Sequence, residues 1–284
     1  MESKRITPRP EPLVQHLHPL ALVTNLWGHR SLIWQFSRRE VEGRYRASVI
    51  GVLWTFVYPL AQLLAYTWVL GIVFRARWPT SRTGGLGEFS LMLFSGLVVF
   101  NVFAECLNRA ATLVVAVPNY VKKVVFPLEI LPVSLLGSAV FHGLVSLAVL
   151  LVCCRLVLGE LPATVLLIPL VALPAAFLCL GLTWLMASLG VFLRDLTHIV
   201  PLILTIAFFA TPVLYPADAV PERFRVTVLL NPLAWVLESL RGLLFAGTLP
   251  DWGALAAWGA VTAGVMVLGY AWFMKTKRGF ADVL

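Results

Sequence analysis

Charge is scarce in this chain. Only 13% of its 284 residues are Asp, Glu, Lys or Arg, about half the ~25% typical of soluble domains, while 60% are hydrophobic and mean hydropathy is +0.88. A water-soluble globule is thereby excluded. Cysteine is sparse too: Cys106, Cys153, Cys154 and Cys179 lie in or beside apolar runs with no CxxC and no neighbouring His pair, so they read as buried thiols and not as metal ligands. No GxxxxGK[ST] occurs, so the chain carries no phosphate-cradling loop of its own. HExxH and GxSxG are missing as well, and no close acidic pair falls inside an apolar run; Glu88, Glu160, Asp195 and Asp251 all lie near run ends. These gaps speak against a membrane hydrolase or glycosyltransferase and predict no catalytic site, no metal site and no cofactor in this chain.

What is present is apolar length. A membrane-crossing helix needs ~20 mostly apolar residues, and residues 49–74 supply such a run without one charge. Further runs at 89–103, 128–152, 161–189, 199–214 and 254–274 predict an all-α integral membrane protein with six transmembrane helices. The second run can extend through Glu105, Asn108 and Arg109 into AATLVVAV. Prolines 59, 132, 169, 174 and 201 do not veto helices in lipid, where neighbours satisfy the freed carbonyls. Residues 1–19 are basic but lack the apolar stretch and cleavage site of a secretory signal. With both termini placed in the cytoplasm, fifteen of the 22 Lys and Arg fall on that side and seven outside, as the positive-inside rule requires. The net charge of +8 thus reflects topology, not a nucleic-acid partner.

Two segments are amphipathic without being spans. At ~100° per residue, Leu26, Trp27, Ile33, Trp34, Val41 and Tyr45 share one arc of residues 25–46, which predicts a helix lying along the inner membrane surface; an ordinary basic anchor before the first span is the alternative. Residues 216–250 are too long for a turn and too apolar for a solvated loop. Within them Asn231 is a helix cap and Pro232 a first helical residue, Leu233, Leu237, Leu240 and Leu244 share a face, and Glu238 and Arg241 are spaced to pair on the helix surface. A re-entrant helix fits better than a span.

Ion-coupled transport would place ionisable groups near the bilayer midplane. Gln62, Glu105, Arg109 and His142 are the deep polar residues; Glu105 and Arg109, four apart, can neutralise each other, and His142 suits an interhelical hydrogen bond. No inverted repeat is visible. If the chain moves a solute, its energy comes from another chain. The stretch VPNYVKKVVFPLEILPV, residues 117–133, then gains a purpose: a short helix fenced by prolines can take force from a soluble motor, the alternative being a basic loop that only anchors topology. In the last run Ala256, Ala260 and Gly264, four apart, would permit close helix approach.

Five blocks in order, SRREVEGRYRASVIGVLWTFVYPLAQLLAYTWVLGIVF, PNYVKKVVFPLEILPV, FLRDLTHIVPLILTIAFFATPVLYP, VPERFRVTVLLNPLAWVLESLRGLLFAG and the terminal RGFADVL, resemble the transmembrane subunit of type-2 ABC exporters for bacterial polysaccharides. The resemblance implies a homodimer of six-span subunits in the inner membrane, two copies of a separate ATPase that binds ATP and Mg, and a lipid-linked glycan such as O-antigen, capsule or teichoic acid polymer as cargo. It implies an ATPase-coupling helix at 118–127, with Pro118, Asn119, Tyr120, Lys122, Lys123, Phe126 and Pro127 as its residues and the two lysines, Asn119 and Tyr120 exposed. It implies a cytoplasmic N-terminal part, residues 1–48, with an interface helix, and external gate helices at about 216–247 carrying Glu238 and Arg241, within a transmembrane domain of residues 49–284.

A sliding sugar polymer needs aromatic and small polar walls. Trp54, Tyr58, Gln62 and Tyr66 on the first span and Phe208, Phe209 and Tyr215 on the fifth are the expected lining, unless they pack the core or face lipid. Trp34, Arg38, Arg39, Arg44 and Arg46 would meet a lipid headgroup, unless they serve topology alone. A type-2 permease for a drug or lipid, and a non-translocating scaffold of glycan assembly, are the competing readings.

Overall fold

The computed structural model describes residues 19–46, 48–79, 84–122 and 126–284; residues 1–18 and Lys123 of the expected coupling helix lie outside them. Among the described residues every regular element is helical. The chain opens with α1 (Pro19–Gly28) and α2 (Arg30–Tyr45), so the surface helix expected over 25–46 is two helices meeting at His29. A 3-10 turn at Gly51–Leu53 leads into α3 (Trp54–Tyr66), which continues as a π-helical stretch to Val73. Then come α4 (Leu86–Ala110), α5 (Pro118–Lys122), α6 (Ile130–Leu158), α7 (Ile168–Phe192) and α8 (Leu196–Ala210). The short α9 (Arg225–Leu229) and α10 (Pro232–Arg241) precede the long α11 (Trp252–Thr276) and a terminal turn, α12 (Phe280–Val283). The second span stops at Ala110, and residues 111–116 form turns, so the longer helix through AATLVVAV does not form.

Among the described residues five helices are long and apolar enough to cross a membrane: Gly51–Val73, Leu86–Ala110, Ile130–Leu158, Ala163–Phe192 and Trp252–Val283. In its most apolar stretch α4 is 72% buried, against 11% for the first and third of these, so α4 is the central post. Phe89, Leu93, Phe94 and Leu97 on α4 are wholly or almost wholly buried and join Leu237 and Leu243 in one cluster. Between α7 and α11 the backbones touch: a Cβ on Gly269 would land on the carbonyl of Gly181, and one on Gly181 on the carbonyl of Val265. Ala256, Ala260 and Gly264 instead point outward, with nothing within 4 Å of a Cβ built on Gly264. The close approach is therefore real but lies on the opposite face of α11 from the one expected.

α8 has 15 residues, fewer than a full crossing normally uses, and its two ends lie toward opposite ends of α4. Before it, Gly190 near the end of α7 abuts Ala111 just after α4. After it, Thr211 takes a hydrogen bond from Asn231 at 2.8 Å, beside the start of α10 and at the end of the bundle where α4 begins. A bent pair follows: Glu222–Leu229 and Pro232–Ala246 meet at 92°. Asn231 caps α10 by accepting from the Leu233 N–H at 3.0 Å, with Pro232 in the first turn. The apolar side of α10, Leu233, Leu237 and Leu240, is buried, so the second helix of the bent pair packs into the bundle while α9 stays at its surface.

Candidate functional site

The end of the bundle that gathers α2, the end of α4 and the start of α6 holds a cluster of charges. Arg44 on α2 pairs with Glu105 on α4 at 2.6 Å; Arg109, one turn along, pairs with Glu40 on α2. Arg109 sits only 3.7 Å from Glu105, so each charge takes its main partner from the other helix, and the expected pairing within α4 is secondary. His142 on α6 completes the cluster, with Nε2 3.0 Å from the Tyr45 hydroxyl and Nδ1 3.3 Å from Glu105. Burial raises the Tyr45 phenol above its ordinary value, against the nearby Arg44 charge, so Tyr45 stays a neutral donor. The Arg44 guanidinium also lies 3.1 Å from His142 Nδ1, so the ring can accept from Arg44 in one tautomer or donate to Glu105 in the other.

Behind this cluster opens a cavity of about 370 Å³ between α2, α3, α4 and α6, walled by Arg44, Tyr45, Ser48, Trp54, Tyr58, Asn101, Glu105 and His142. It joins residues expected to meet a headgroup with residues expected to line a conduit. Trp54 Nε1 donates to Ser48 at 3.1 Å, and Asn101 donates to Gln62 at 2.8 Å, holding the polar walls in place. On the other side of α2 lies a basic hollow of about 890 Å³. Arg39, Arg44, Arg46 and Arg109 face Glu40 and Glu42 across it, an excess of positive charge suited to an anion. Arg38 is turned to Glu42 at 2.6 Å, an exposed pair of small energetic weight.

The remaining expected residues divide. Tyr58 and Phe209 are over 60% exposed, whereas Tyr66 and Phe208 are partly buried against the core, Phe208 edge-on to Phe100 at 5.0 Å. Tyr215 spends its hydroxyl on the Phe209 carbonyl at 2.7 Å. Trp34 is 71% exposed and lies away from α6, the helix that α2 packs on. Only Pro118–Lys122 of the coupling segment is helical among the described residues. Pro118, Asn119 and Lys122 are exposed, but Tyr120 is half-buried, stacked on Phe126 at 4.8 Å and edge-on to Phe36 at 6.0 Å, with Arg39 donating to its hydroxyl at 3.4 Å. Pro127 leads into α6 through a turn. A groove of about 410 Å³ between α2 and this segment is lined by Phe36, Arg39, Asn119 and Tyr120.

At the opposite end Arg241 is not a surface residue. It is 5% exposed, donates to the carbonyls of Met92 (3.2 Å), Pro212 (2.8 Å) and Val213 (3.0 Å) and to Glu238 (2.8 Å), and lies 4.4 Å over the Trp78 ring. The pair with Glu238 exists, but one partner is a brace within the fold.

Sequence reasoning missed Glu40, Ser48 and Asn101, whose roles depend on helices brought together from far along the chain. It also left Glu129 without a role. Among the described residues no group of three His, Cys, Asp or Glu could hold a metal ion.

The sequence profile of a family described as ABC-2 type transporter matches residues 31–245. The chain is 31% identical over 266 residues to the O-antigen export system permease protein RfbA of Myxococcus xanthus, covering 93% of this chain and 99% of that protein. It is 29% identical over 255 residues to the protein of the same name in Klebsiella pneumoniae, with 89% and 95% covered, and 23% identical over 244 residues to the polysialic acid transport protein KpsM of Escherichia coli, with 84% and 91% covered. The profile runs from α2 through the bent helix pair and so takes in the polar cavity, the short α5 and the Arg241 brace: this multi-pass membrane chain belongs to the ABC-2 type transporter family.

Proposed function

We propose that this permease is the conduit-forming subunit of an ATP-driven exporter that carries a lipid-linked polysaccharide, of the O-antigen class, out across the bacterial inner membrane with both its termini cytoplasmic. The observation that carries this reading is the alignment over nearly the whole length of permeases named for O-antigen export. The aromatic and polar cavity agrees with it, since rings and hydroxyls offer a sugar chain stacking and hydrogen bonds without deep binding. The basic hollow beside α2 suits the phosphates of a lipid carrier. ATP and Mg belong to a partner ATPase, two copies of which serve two copies of this chain, each receiving the exposed Asn119 and Lys122 together with Lys123.

The reading calls for two copies: Tyr58 on α3 and Phe209 on α8 stand exposed, so one chain offers half a wall and a second would close it. Co-purification of the tagged chain with the ATPase encoded beside it tests the reading. Wild type is expected to retain the ATPase, and Lys122→Glu/Lys123→Glu to lose it with glycan trapped inside the cell. An ATPase retained while surface glycan survives deletion of this gene would favour a drug or lipid cargo. No ATPase retained would favour a scaffold.

A further inference from the structure

Glu129 lies two residues beyond Pro127, at the foot of α6, and is 5% exposed. Each of its oxygens is engaged. Oε2 accepts from Lys277 Nζ at 2.6 Å, Oε1 from Asn25 Nδ2 at 3.2 Å, and the main-chain carbonyl from Trp184 Nε1 at 3.0 Å. Asn25 also donates to the Tyr270 hydroxyl at 2.7 Å, and Tyr270 meets Trp184 edge-on at 5.2 Å. The carboxylate thus ties α1 and the turn after α11 to the segment that follows α5, the main-chain carbonyl adds α7, and α11 joins through Asn25.

A second contact joins the same partners. The tail turns back so that α12 touches α5. Phe280, fully buried, packs on Phe192 and Phe273, in a cluster that also carries Tyr120, Val121, Phe126 and Leu284. The covalent chain links α5 to α4 and α6; among the described residues α11 and the tail reach it through this hub.

We propose that the Glu129–Lys277 pair is a transmission joint, making the last span and the C-terminal tail move as one body with the ATPase-facing segment, so that Glu129 is a positioning residue for export. This rests on the reading of the chain as a permease driven by a separate ATPase. The pair suits the task because its side chains are 6% and 27% exposed, where salt screens poorly and an unpartnered charge is costly. A displacement of α5 cannot leave Lys277 behind without stranding both charges. The joint adds nothing to the outer surface of α5, so it governs what becomes of the push and not whether the motor binds.

The test uses the full chain with its ATPase and three variants: Glu129→Gln, Lys277→Met, and the exchange Glu129→Lys/Lys277→Glu, in which the Asn25 amide can turn to offer its oxygen to the new lysine. Each single variant is expected to retain the ATPase and hydrolyse ATP at the wild-type rate while surface glycan falls about fivefold or more, the scale of a typical coupling energy; the exchange should restore most of it. Parallel loss of ATPase retention, hydrolysis and export, unrepaired by the exchange, would mean a merely structural pair and overturn the joint, as would wild-type export in both single variants. Amide hydrogen exchange on the permease without its ATPase separates this from the functional reading. Residues 126–131 and 270–280 should both exchange faster in either single variant, and unchanged exchange would remove the joint even if the exporter reading stood. If wild type retains no ATPase, the exporter reading fails while the exchange result still decides the joint.

Discussion

The guanidinium of Arg241 spends its donors on fixed oxygens: three backbone carbonyls and one carboxylate. Removing it leaves the three carbonyls buried and unpaired, while Glu238, 41% exposed, falls back on solvent; each stranded buried acceptor costs about 1–3 kcal/mol. Arg241→Ala should therefore lower the melting temperature in detergent by several degrees, and Arg241→Lys should recover less than half, because an ammonium cannot span the fork that reaches Met92 and Val213 together. The i, i+3 pairing with Glu238 was legible from spacing. The burial was not, since its acceptors come from 149 and 29 positions away. Glu129 makes a second prediction. Burial alone would raise its carboxyl, but the hydrogen bond and charge of Lys277 outweigh burial and hold it below the ordinary carboxylate range. Its stabilising share is thus complete above the unfolded value of about 4.3 and fades as pH falls through the lower folded value. Melting curves of wild type and Glu129→Gln should be separated at neutral pH and converge in acid below about pH 4.

Among the elements, the contact of α7 with α11 has the narrowest tolerance. Gly269→Val would drive a branched side chain into the carbonyl of Gly181, and close backbone approach is what holds helices together in lipid. The expected outcome is a lower melting temperature and poor recovery from the membrane, whereas Gly264→Ala, with open space around it, should behave as wild type. Small-residue spacing told us that the last span packs closely somewhere, but two glycine faces were available and only the partner helix selects one. α2 teaches the same lesson. Its apolar arc was readable, yet the inward face is chosen by Ser37 against Gly137 and by the ion pairs of Glu40 and Arg44, which leaves Trp34 outside. Hydrophobic periodicity locates a face; it cannot distinguish a face for lipid from one for protein.

For the whole molecule, the five long spans were legible because each needs a long apolar run, and the family because its blocks occur in order; the run at 199–214 yields a helix shorter than a full crossing normally uses. The faces that would line a conduit were less legible, since periodicity does not tell a face for a second copy from one for lipid. In a background without native cysteines, Tyr58→Cys and Phe209→Cys should join two copies through a bifunctional thiol reagent, while Leu166→Cys, equally free to react at 84% exposure, should not; joining only at Leu166 would place the mating face elsewhere. The shortness of α8 carries a last consequence. Fifteen helical residues cover about 22 Å, against a hydrocarbon layer of ~30 Å. A span this short is accommodated by local thinning of the bilayer or by association with another chain. With Phe209 turned to a second copy, the shortfall would fall at the seam, so any solute passing there would have less oil to cross than one crossing anywhere in the open bilayer.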